Sequence, residues 1–422
     1  MSSIEPKNAA HAGNRDRQAR LPVKLTNVRS YVVKTPAPNH GGIFWYFLKL
    51  ETDQGLDGWG ETAVLYSLAG LEDGYESMVR GIFDTYLRGE NPLNREALYQ
   101  RLYSHLTAQH PDYIMGGIMS AFDIALWDIC GKYYETPVYN LLGGKYRDRV
   151  RTYTYVYDRA RPGSLQDSLA CWTKDPGRLA ELAAELVSEG FTGLKFDPLV
   201  QVKFKQMPRQ PWELSLAELD HAERAVSAVR EAVGNRADIL IGTHGQITPS
   251  SAQRLAAILE KFRPLWLEEP CPPENPKEMG TIARSTRIPI ATGERLTSIF
   301  DFQNLFEQDA CAIAQPDLGS CGGITACKKI AALAEARYKL MAPHVWGGPV
   351  ITAAALQIDA CIPNFLIQES IYKSGGFFNE IVKEPFIWEG GDLIVSDRPG
   401  IGVELDEQEL NRRRGKLSDL AK

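Results

Sequence analysis

The sequence predicts an α/β fold: a (β/α)8-type, TIM-like barrel preceded by an α+β capping domain that the C-terminal segment completes. Three features indicate it. Short alternating apolar runs come first, apolar residues spaced three and four apart follow them, and from about residue 150 short apolar runs alternate with helical stretches. Because side chains repeat every two residues on a strand and every 3.6 on a helix, each change of period marks a change of secondary structure.

The capping domain is predicted over residues 23–148. The alternating segments VKLTNVRSYVVKT and IFWYFLKLETD are separated by the turn-forming TPAPNHGG, a pattern typical of an antiparallel meander. A helical period then runs to about residue 139 and is clearest in MGGIMSAFDIALWDICGKYY. Strands followed by helices predict a small α+β domain.

The barrel is predicted over residues 149–375, where eight apolar runs each lead into a polar loop and, in most cases, a helical stretch. The runs are RTYTYVY, GLKFDP, DILIGTHG, PLWLEEP, IPIATGE, ACAIAQPD, KLMAPH and FLIQES. Residues 376–422 are turn-rich and strand-like, and we expect them to return to the capping domain. Residues 1–22 are polar and lack the apolar core of a signal peptide, so we expect a disordered tail.

The composition argues against some classes of binding partner. A net charge of −6 provides no basic surface for nucleic acid and no polybasic segment for a membrane. The seven cysteines are scattered without a CxxC pair, which favours reduced thiols in the cytoplasm over disulfides or structural zinc. No apolar run approaches the roughly 20 residues that span a bilayer. We therefore expect a cytoplasmic protein that acts on a small molecule.

The predicted barrel strands end in polar residues. The loops at the C-terminal ends of barrel strands build the active site, so these ends are the candidate functional positions. In chain order they carry Lys195, Asp197, His244, Glu268, Glu269, Glu294, Arg295, Asp317, His344, Gln368 and Glu369. Crowded carboxylates repel one another unless a cation binds them, and oxygen-rich sites suit magnesium or manganese rather than zinc.

Five segments, in order along the chain, carry a resemblance to a known family. They are SAFDIALWDICGKYYETPVYNLLGG, LWLEEP, ATGER, QPDLGSCGG and APHVWGGP, and they resemble the mandelate-racemase and sugar-acid-dehydratase branch of the enolase superfamily. The resemblance implies one Mg²⁺ per subunit, which binds the substrate carboxylate and stabilises the enediolate formed when a base removes the alpha proton. By the same analogy, we expect a homo-oligomer.

The resemblance also implies roles for individual residues. Glu268 and Glu294 match metal ligands, and Glu369 matches a carboxyl that hydrogen-bonds the substrate or its enolate oxygen. His344 matches the base and is paired with Asp317, which lies 344 − 317 = 27 positions earlier, or one βα unit. An aspartate held against one ring nitrogen fixes the tautomer and raises the basicity of the other.

The second and third strands distinguish between the reactions of the branch. LKFDP has Asp197 where racemases carry a second lysine base, while Lys195 is expected to contact the substrate carboxylate or the metal ligands. His244 resembles the histidine that dehydratases carry after the third strand, and we assign it as the general acid. The leading hypothesis is dehydration of a sugar acid, an aldonate or aldarate, to a 2-keto-3-deoxy acid. The alternatives are an epimerase or cycloisomerase of a carboxylate sugar or lactone, and a non-catalytic member with a degraded metal site.

Gly242 stands where the family pattern has the third metal-binding carboxylate. Three explanations compete: a neighbouring carboxylate replaces it, water fills the position, or metal and activity are lost. We favour the first, with Asp197 as the ligand, because adjacent strands lie only about 4.8 Å apart.

In the family a loop of the capping domain closes over the site and reads the distal end of the substrate. His40 and Trp45 lie in or beside that loop and are predicted to contact the substrate, although an ordinary polar turn would explain the same residues. Tyr155, at the end of the first strand, and Trp346, in HVWGGP, are further candidates.

Overall fold

The capping domain begins with the predicted meander. A computed structural model describes residues 22–63, 72–160, 163–199 and 211–415, so the predicted tail lies outside the described residues except for residue 22. The strands are β1 (Leu25–Lys34), β2 (Phe44–Thr52) and β3 (Asp57–Thr62). They pair antiparallel in the order β1-β2-β3, as the alternating pattern predicts.

Helices cover this sheet. They are α1 (Glu72–Ile82), α2 (Arg95–Leu106), α3 (Tyr113–Tyr133) and α4 (Val138–Leu141), with a π-helical turn at Phe83–Leu87. The side chain of Asp112 caps α3 by accepting a hydrogen bond of 2.7 Å from the backbone N–H of Met115. Helix α3 lies directly on β3, because a Cβ atom at Gly60 would come within 1.8 Å of the Ala121 carbonyl oxygen.

Helix α3 is also long and apolar enough to cross a membrane, the one such helix among the described residues. Of its most apolar window, 89% is buried inside the protein. It carries Asp123, which accepts a hydrogen bond of 2.9 Å from the Thr325 backbone N–H, and Asp128, which pairs with Lys132 at 2.9 Å. This combination of burial and paired carboxylates is that of a core helix.

Each of the eight predicted apolar runs contains one parallel strand. The strands are β4 (Arg149–Tyr155), β5 (Gly193–Phe196), β6 (Asp238–Gly242), β7 (Trp266–Glu268), β8 (Ile290–Thr292), β9 (Ile313–Ala314), β10 (Leu340–Met341) and β11 (Gln368–Glu369). Neighbours pair in chain order from β4 to β10, and β11 pairs with β4. A parallel bridge between Met341 and Phe365 links β10 to the residues that lead into β11. The predicted barrel fold is confirmed.

The barrel helices are α5 (Leu165–Lys174), α6 (Pro176–Ser188), α7 (Leu216–Val233), α8 (Pro249–Leu259), α9 (Pro276–Ser285), α10 (Ile299–Glu307), α11 (Gly323–Glu335) and α12 (Pro349–Cys361). Ser215 and Glu218 form a reciprocal capping box at the start of α7. The barrel interior is filled by side chains, one from each of seven strand regions: Tyr153, Leu240, Trp266, Ala291, Ile313, Ala342 and Ile367. The interior is therefore a packed core, and ligands are confined to the strand ends.

The last segment touches both domains. It contains α13 (Phe377–Ile381), β12 (Trp388–Glu389), β13 (Asp392–Ile394) and α14 (Glu407–Arg412). Strand β13 pairs antiparallel with β4 of the barrel. In α14, Glu407 accepts a hydrogen bond of 2.6 Å from the Tyr31 hydroxyl and pairs with Lys49 at 2.6 Å, both in the capping sheet.

One buried carboxylate joins the capping sheet to the barrel. Glu61, in β3, accepts hydrogen bonds from the backbone N–H groups of Gly348 at 2.5 Å and of Val350 and Ile351 at 3.0 Å each. These groups belong to the N-terminal end of α12, where the first N–H groups of a helix have no partner within the helix. A carboxylate there also complements the helix dipole. Glu61 thereby fixes the loop after β10 against the cap.

We predict that Glu61→Gln lowers the free energy of unfolding by about 1–3 kcal/mol, because the amide removes one acceptor and turns an NH₂ group toward backbone N–H donors. Urea denaturation measures the change. The control is Glu96→Gln, whose exposed pair with Lys329 should matter by less than about 0.5 kcal/mol. Equal effects of the two variants would show that the Glu61 contacts do not stabilise the domain interface.

Candidate active site

The polar strand ends meet on one side of the barrel, and most of them are buried. Gly242 of β6 lies beside Glu268 of β7 in the sheet register, and a bridge joins Asp317 to His344. The following side chains belong to residues that are at most 2% exposed: Lys195, Asp197, Glu268, Glu269, Asp317 and Glu369. Burying an ionisable group is unfavourable unless it has a hydrogen-bond or ion-pair partner. The partners of these groups therefore define the site.

His344 and Asp317 form the pair that the family resemblance implies. The Nδ1 atom of His344 lies 2.6 Å from Asp317 Oδ2, and its Nε2 atom lies 3.4 Å from Glu294 and 3.7 Å from Glu369. Burial lowers the pKa of His344, but Glu369, Glu294 and Asp317 outweigh it and raise the pKa to about 10. The ring is thus fixed through one nitrogen and faces carboxylates with the other.

His244 and Asp197 form a second histidine–aspartate pair. His244 Nδ1 lies 2.9 Å from Asp197 Oδ2, and the same oxygen accepts a hydrogen bond of 2.9 Å from the Gln246 amide. His244 has a positive φ of 53°, and its carbonyl accepts a hydrogen bond from Arg295. Burial opposes the charged imidazolium, but the hydrogen bond to Asp197 raises the pKa of His244 above its ordinary value.

Asp197 is held by protein donors in this structure. Its second oxygen, Oδ1, accepts a hydrogen bond of 2.8 Å from the Leu199 backbone N–H, so both oxygens are engaged by protein donors. To bind a metal, Asp197 would have to release some of these donors. In this structure it holds His244 instead, and its service as a ligand stays a prediction.

The side chain of Lys195 explains why residue 242 is a glycine. A Cβ atom at this position would lie 2.8 Å from Cε of Lys195, closer than side-chain carbons approach. The fully buried Lys195 side chain thus occupies the space that a carboxylate would need. Its Nζ atom donates to Glu268 at 2.5 Å and lies 3.6 Å from Glu369. The glycine makes room for a buried ammonium group.

Glu268 has a protein donor on each oxygen. Lys195 binds Oε1, while the Trp266 indole N–H at 2.9 Å and the Gln315 amide at 3.0 Å bind Oε2. Burial lowers the pKa of Lys195, but Glu268 and Glu369 outweigh it and keep the pKa well above its ordinary value. Glu268 and Lys195 therefore form a charged pair inside the barrel.

The carboxylates of Glu269 and Glu294 have fewer protein donors than that of Glu268. Glu269 is fully buried, and neither of its oxygens accepts a well-aligned hydrogen bond from the residues that the structure describes. Arg295 Nη2 lies 2.6 Å from Glu269 Oε2 and forms an ion pair without the alignment of a hydrogen bond, and Arg295 Nε lies 3.5 Å from Glu294 Oε1. Burial and then the charge of Glu294 raise the pKa of Glu269 to about 8. Burial also raises the pKa of Glu294, but His344 and Arg295 lower it to about 2.

Whether a carboxylate here can bind a divalent cation depends on which of its oxygens are already engaged by protein donors. Within residues 22–63, 72–160, 163–199 and 211–415, no three histidine, cysteine or acidic side chains are gathered as a ready-made metal site. Asp197 and Glu268 have both oxygens engaged, whereas Glu269 and Glu294 retain acceptor capacity and share Arg295. Carboxylate oxygens are the ligands that Mg²⁺ prefers, and this last pair offers some of the six oxygens that such a cation takes.

Three of the four predicted substrate residues belong to one aromatic surface. The His40 ring stacks on Tyr157 with centroids 3.9 Å apart, Tyr155 stacks on Tyr157 at 5.3 Å, and Trp346 meets Tyr155 edge-on at 6.0 Å. The Lys195 ammonium lies 4.9 Å from the Tyr155 ring centroid. Burial lowers the pKa of His40 to about 4, so its ring is neutral. His40 comes from the capping domain and the others from the barrel.

Trp45 is positioned differently from the other three. It is 2% exposed, its indole N–H donates to the Gly41 carbonyl at 2.9 Å, and its ring packs on Phe377 and Phe378. These contacts hold the loop that carries His40. A direct contact between Trp45 and a substrate stays a prediction.

Comparison with family models matches both domains of the chain. Residues 43–143 match the model described as the N-terminal domain of mandelate racemase / muconate lactonizing enzyme. Residues 178–409 match the model described as enolase C-terminal domain-like.

Individual proteins are similar over almost the whole length. The D-galactonate dehydratase of Variovorax paradoxus (strain S110) is 35% identical over 394 residues, covering 92% of this chain and 94% of that protein. The D-galactonate dehydratase of Xanthomonas oryzae pv. oryzae (strain PXO99A) is 34% identical over 397 residues, with the same coverage of 92% and 94%.

Solved structures agree with this similarity. The mandelate racemase/muconate lactonizing enzyme from Jannaschia sp. CCS1 superimposes with a TM-score of 0.85 at 38% identity, covering 93% of this chain and 98% of that one. The enzyme of the same description from Sulfitobacter sp. gives a TM-score of 0.86 at 38% identity, with coverage of 93% and 95%.

We predict that Gly242→Ala destabilises the protein by about 1–3 kcal/mol through overpacking against Lys195. In a Lys195→Ala background the clashing stem is absent, so the same substitution should have little further effect. In a Lys195→Met background the stem remains and the penalty should persist. Denaturation midpoints of the six proteins measure the coupling, and an equal penalty in all three backgrounds would contradict the proposed contact.

Proposed function

The chain belongs to the mandelate racemase/muconate lactonizing enzyme family of the enolase superfamily, and from this premise we propose that it is a lyase that dehydrates a sugar acid. The product is a 2-keto-3-deoxy acid. Relatives named D-galactonate dehydratase, 35% identical over 92% of this chain, support the reaction class. The observation that carries the proposal is the presence of two histidine–aspartate pairs, because dehydration needs one base and one acid.

His344 is the proposed base. Asp317 holds its Nδ1 atom at 2.6 Å, so in the neutral form of the ring Nε2 is the atom that accepts the proton from the carbon next to the substrate carboxylate. Asp317 also stabilises the imidazolium that this transfer produces. Asp317 is held in turn by the Gly319 backbone N–H, which donates to its other oxygen at 2.7 Å.

His244 is the proposed acid. Its Nδ1 atom is engaged by Asp197, so Nε2 is the nitrogen that donates a proton to the departing beta hydroxyl. The alpha proton leaves to His344, the beta C–O bond breaks, and the oxygen departs as water. The resulting enol takes up a proton at the beta carbon and becomes the ketone. Asp197 and Gln246 act as positioning residues, because they hold the ring rather than the substrate.

The substrate carboxylate and the enediolate need positive charge. A divalent cation, generally magnesium in this superfamily, supplies charge neutralisation when it binds at Glu294 and a second carboxylate at the end of β7. Lys195 adds a fixed, fully buried ammonium group that attracts the substrate carboxylate. Glu369 Oε1 has no hydrogen-bond partner within the described part of the chain and can accept a hydrogen bond from a substrate hydroxyl.

The aromatic surface of His40, Tyr155, Tyr157 and Trp346 supports a small organic substrate with C–H faces, such as a sugar acid. His40 is the polar residue of this surface contributed by the capping domain. We propose that it distinguishes between sugar acids through hydrogen bonds to distal hydroxyls. A cytoplasmic homo-oligomer, expected from the sequence, is part of the same proposal.

The direct test is turnover of a panel of aldonates and aldarates in the presence of Mg²⁺, with the 2-keto product detected as its semicarbazone. We expect at least one acid to give the product. Exchange of the alpha proton with solvent deuterium across the panel, without net product, would instead favour the epimerase alternative.

We predict that the two histidines separate the two half-reactions. His344→Asn should abolish both deuterium exchange and dehydration, because no base remains. His244→Asn should retain exchange but lose dehydration by about 100- to 10,000-fold, the usual contribution of a general acid. Proton NMR in D₂O follows both processes.

The control for these variants is His105→Asn on α2, whose ring contacts the Arg101 carbonyl far from the strand ends in sequence and fold. It should leave both rates unchanged. Dehydration at the wild-type rate in His244→Asn would show that a group other than His244 is the acid.

A further inference from the structure

We propose that Arg295 is a positioning residue for the general acid: its guanidinium holds the backbone of His244, so that the imidazole reaches the departing hydroxyl. The inference deepens the proposed function and rests on it for the role of His244. Asp197 binds the ring of His244, whereas Arg295, in the loop after β8, donates to the carbonyl of the same residue. The two contacts fix different parts of one catalytic side chain and its backbone.

His244 needs support because its backbone conformation is unfavourable. Its φ is 53°, and the φ of the following Gly245 is 64°, so both residues lie in the left-handed region. A residue other than glycine keeps this conformation only where the surrounding contacts impose it. Without those contacts the segment would relax toward ordinary backbone angles and move the imidazole with it.

The residues on either side of His244 are bound to the residue that follows β7. The Thr243 hydroxyl donates to the Glu269 carbonyl at 2.9 Å, and the Gly245 N–H donates to the same carbonyl at 2.8 Å. These bonds hold the neighbours of His244 but not its own carbonyl group. That group accepts its hydrogen bond from Arg295.

Arg295 is oriented in turn by two carboxylates. Its Nη2 atom lies 2.6 Å from Glu269 Oε2, and its Nε atom lies 3.5 Å from Glu294 Oε1. The guanidinium also packs on Gly245, where a Cβ atom would lie 3.2 Å from Nη2. A planar guanidinium can contact a carbonyl and a carboxylate together, whereas the ammonium of a lysine is a single point charge. Glu269 therefore acts on His244 through Arg295.

The proposed base is held by other groups. His344 is bound through Nδ1 by Asp317 at 2.6 Å, and its backbone N–H donates to the Pro316 carbonyl at 3.2 Å. These contacts lie at the ends of β9 and β10, beyond the segment that Arg295 supports. Removal of the guanidinium should therefore impair the acid and spare the base.

The test measures dehydration and exchange of the alpha proton with solvent deuterium by proton NMR, at saturating Mg²⁺. Arg295→Met should lower dehydration about 100-fold, as misplacement of a catalytic group does, while exchange stays within about threefold of the wild-type rate. Arg295→Lys should still lower dehydration at least about tenfold, since one ammonium does not replace both contacts. Circular dichroism checks folding, and Arg295→Lys provides the comparison if Arg295→Met does not fold.

Three results would overturn the proposal. Wild-type dehydration in Arg295→Met would show that the contact is dispensable. A wild-type rate in Arg295→Lys would show that positive charge alone is sufficient. Exchange that falls in parallel with dehydration would place Arg295 at the substrate or the metal instead of behind the acid.

Two further variants serve as controls. Arg284→Met removes an arginine of α9 that contacts the Gln308 carbonyl, and it should leave both rates unchanged. Glu269→Gln should lower dehydration by itself but have no further effect in the Arg295→Met background, because its influence passes through the guanidinium. Additive effects of these two substitutions would contradict that path.

A crystal structure of Arg295→Met separates this inference from the proposed function. We expect the His244 backbone to leave the left-handed region and its ring to move away from Asp197. An unchanged His244 overturns the positioning role, whichever acids the chain dehydrates. A displaced His244 in a chain whose wild type dehydrates no sugar acid retains the positioning role and overturns the proposed function.

Discussion

A fully buried ammonium group, Lys195, determines how the other charged residues at the barrel mouth are arranged. Its stem lies beside β6, where a Cβ atom at residue 242 would come within 2.8 Å of the Lys195 Cε atom. Its charge takes Glu268 as a partner at 2.5 Å and lies 3.6 Å from Glu369. Because a buried charge must be paired, these contacts cannot be exchanged freely for others. Glu269 and Glu294 are held instead by Arg295.

Both histidine–aspartate pairs follow from the barrel rather than from local sequence. In each pair the two residues stand at the ends of consecutive strands, β5 and β6 for Asp197 and His244, and β9 and β10 for Asp317 and His344. Parallel neighbours place their C-terminal ends side by side, so one βα unit of sequence becomes a hydrogen bond. This repeated geometry provides two oriented imidazoles for one substrate.

The capping domain contributes to the site in two ways: it is bound to the barrel beside the strand ends, and it provides the loop that carries His40. Glu61 satisfies the start of α12 directly after the loop that carries Trp346, and Trp45 fixes the loop that carries His40. The stacked rings of His40 and Tyr157 then join the two domains beside the strand ends. The contacts that stabilise the domain interface therefore lie close to His40, the residue proposed to recognise the distal part of a substrate.

Periodicity along the chain predicts the meander and the eight barrel strands. The family resemblance implies the His344–Asp317 pair, and a spacing of one βα unit is consistent with it. Three further contacts follow from side-chain packing in the folded chain: Asp197 binds His244, Lys195 lies against Gly242, and Trp45 supports the loop that carries His40. Several polar side chains end neighbouring strands, and the choice among partners depends on differences of a few ångströms and on which space is already filled. The hydrophobic pattern of a sequence does not predict these distances between polar side chains, because side-chain packing determines them.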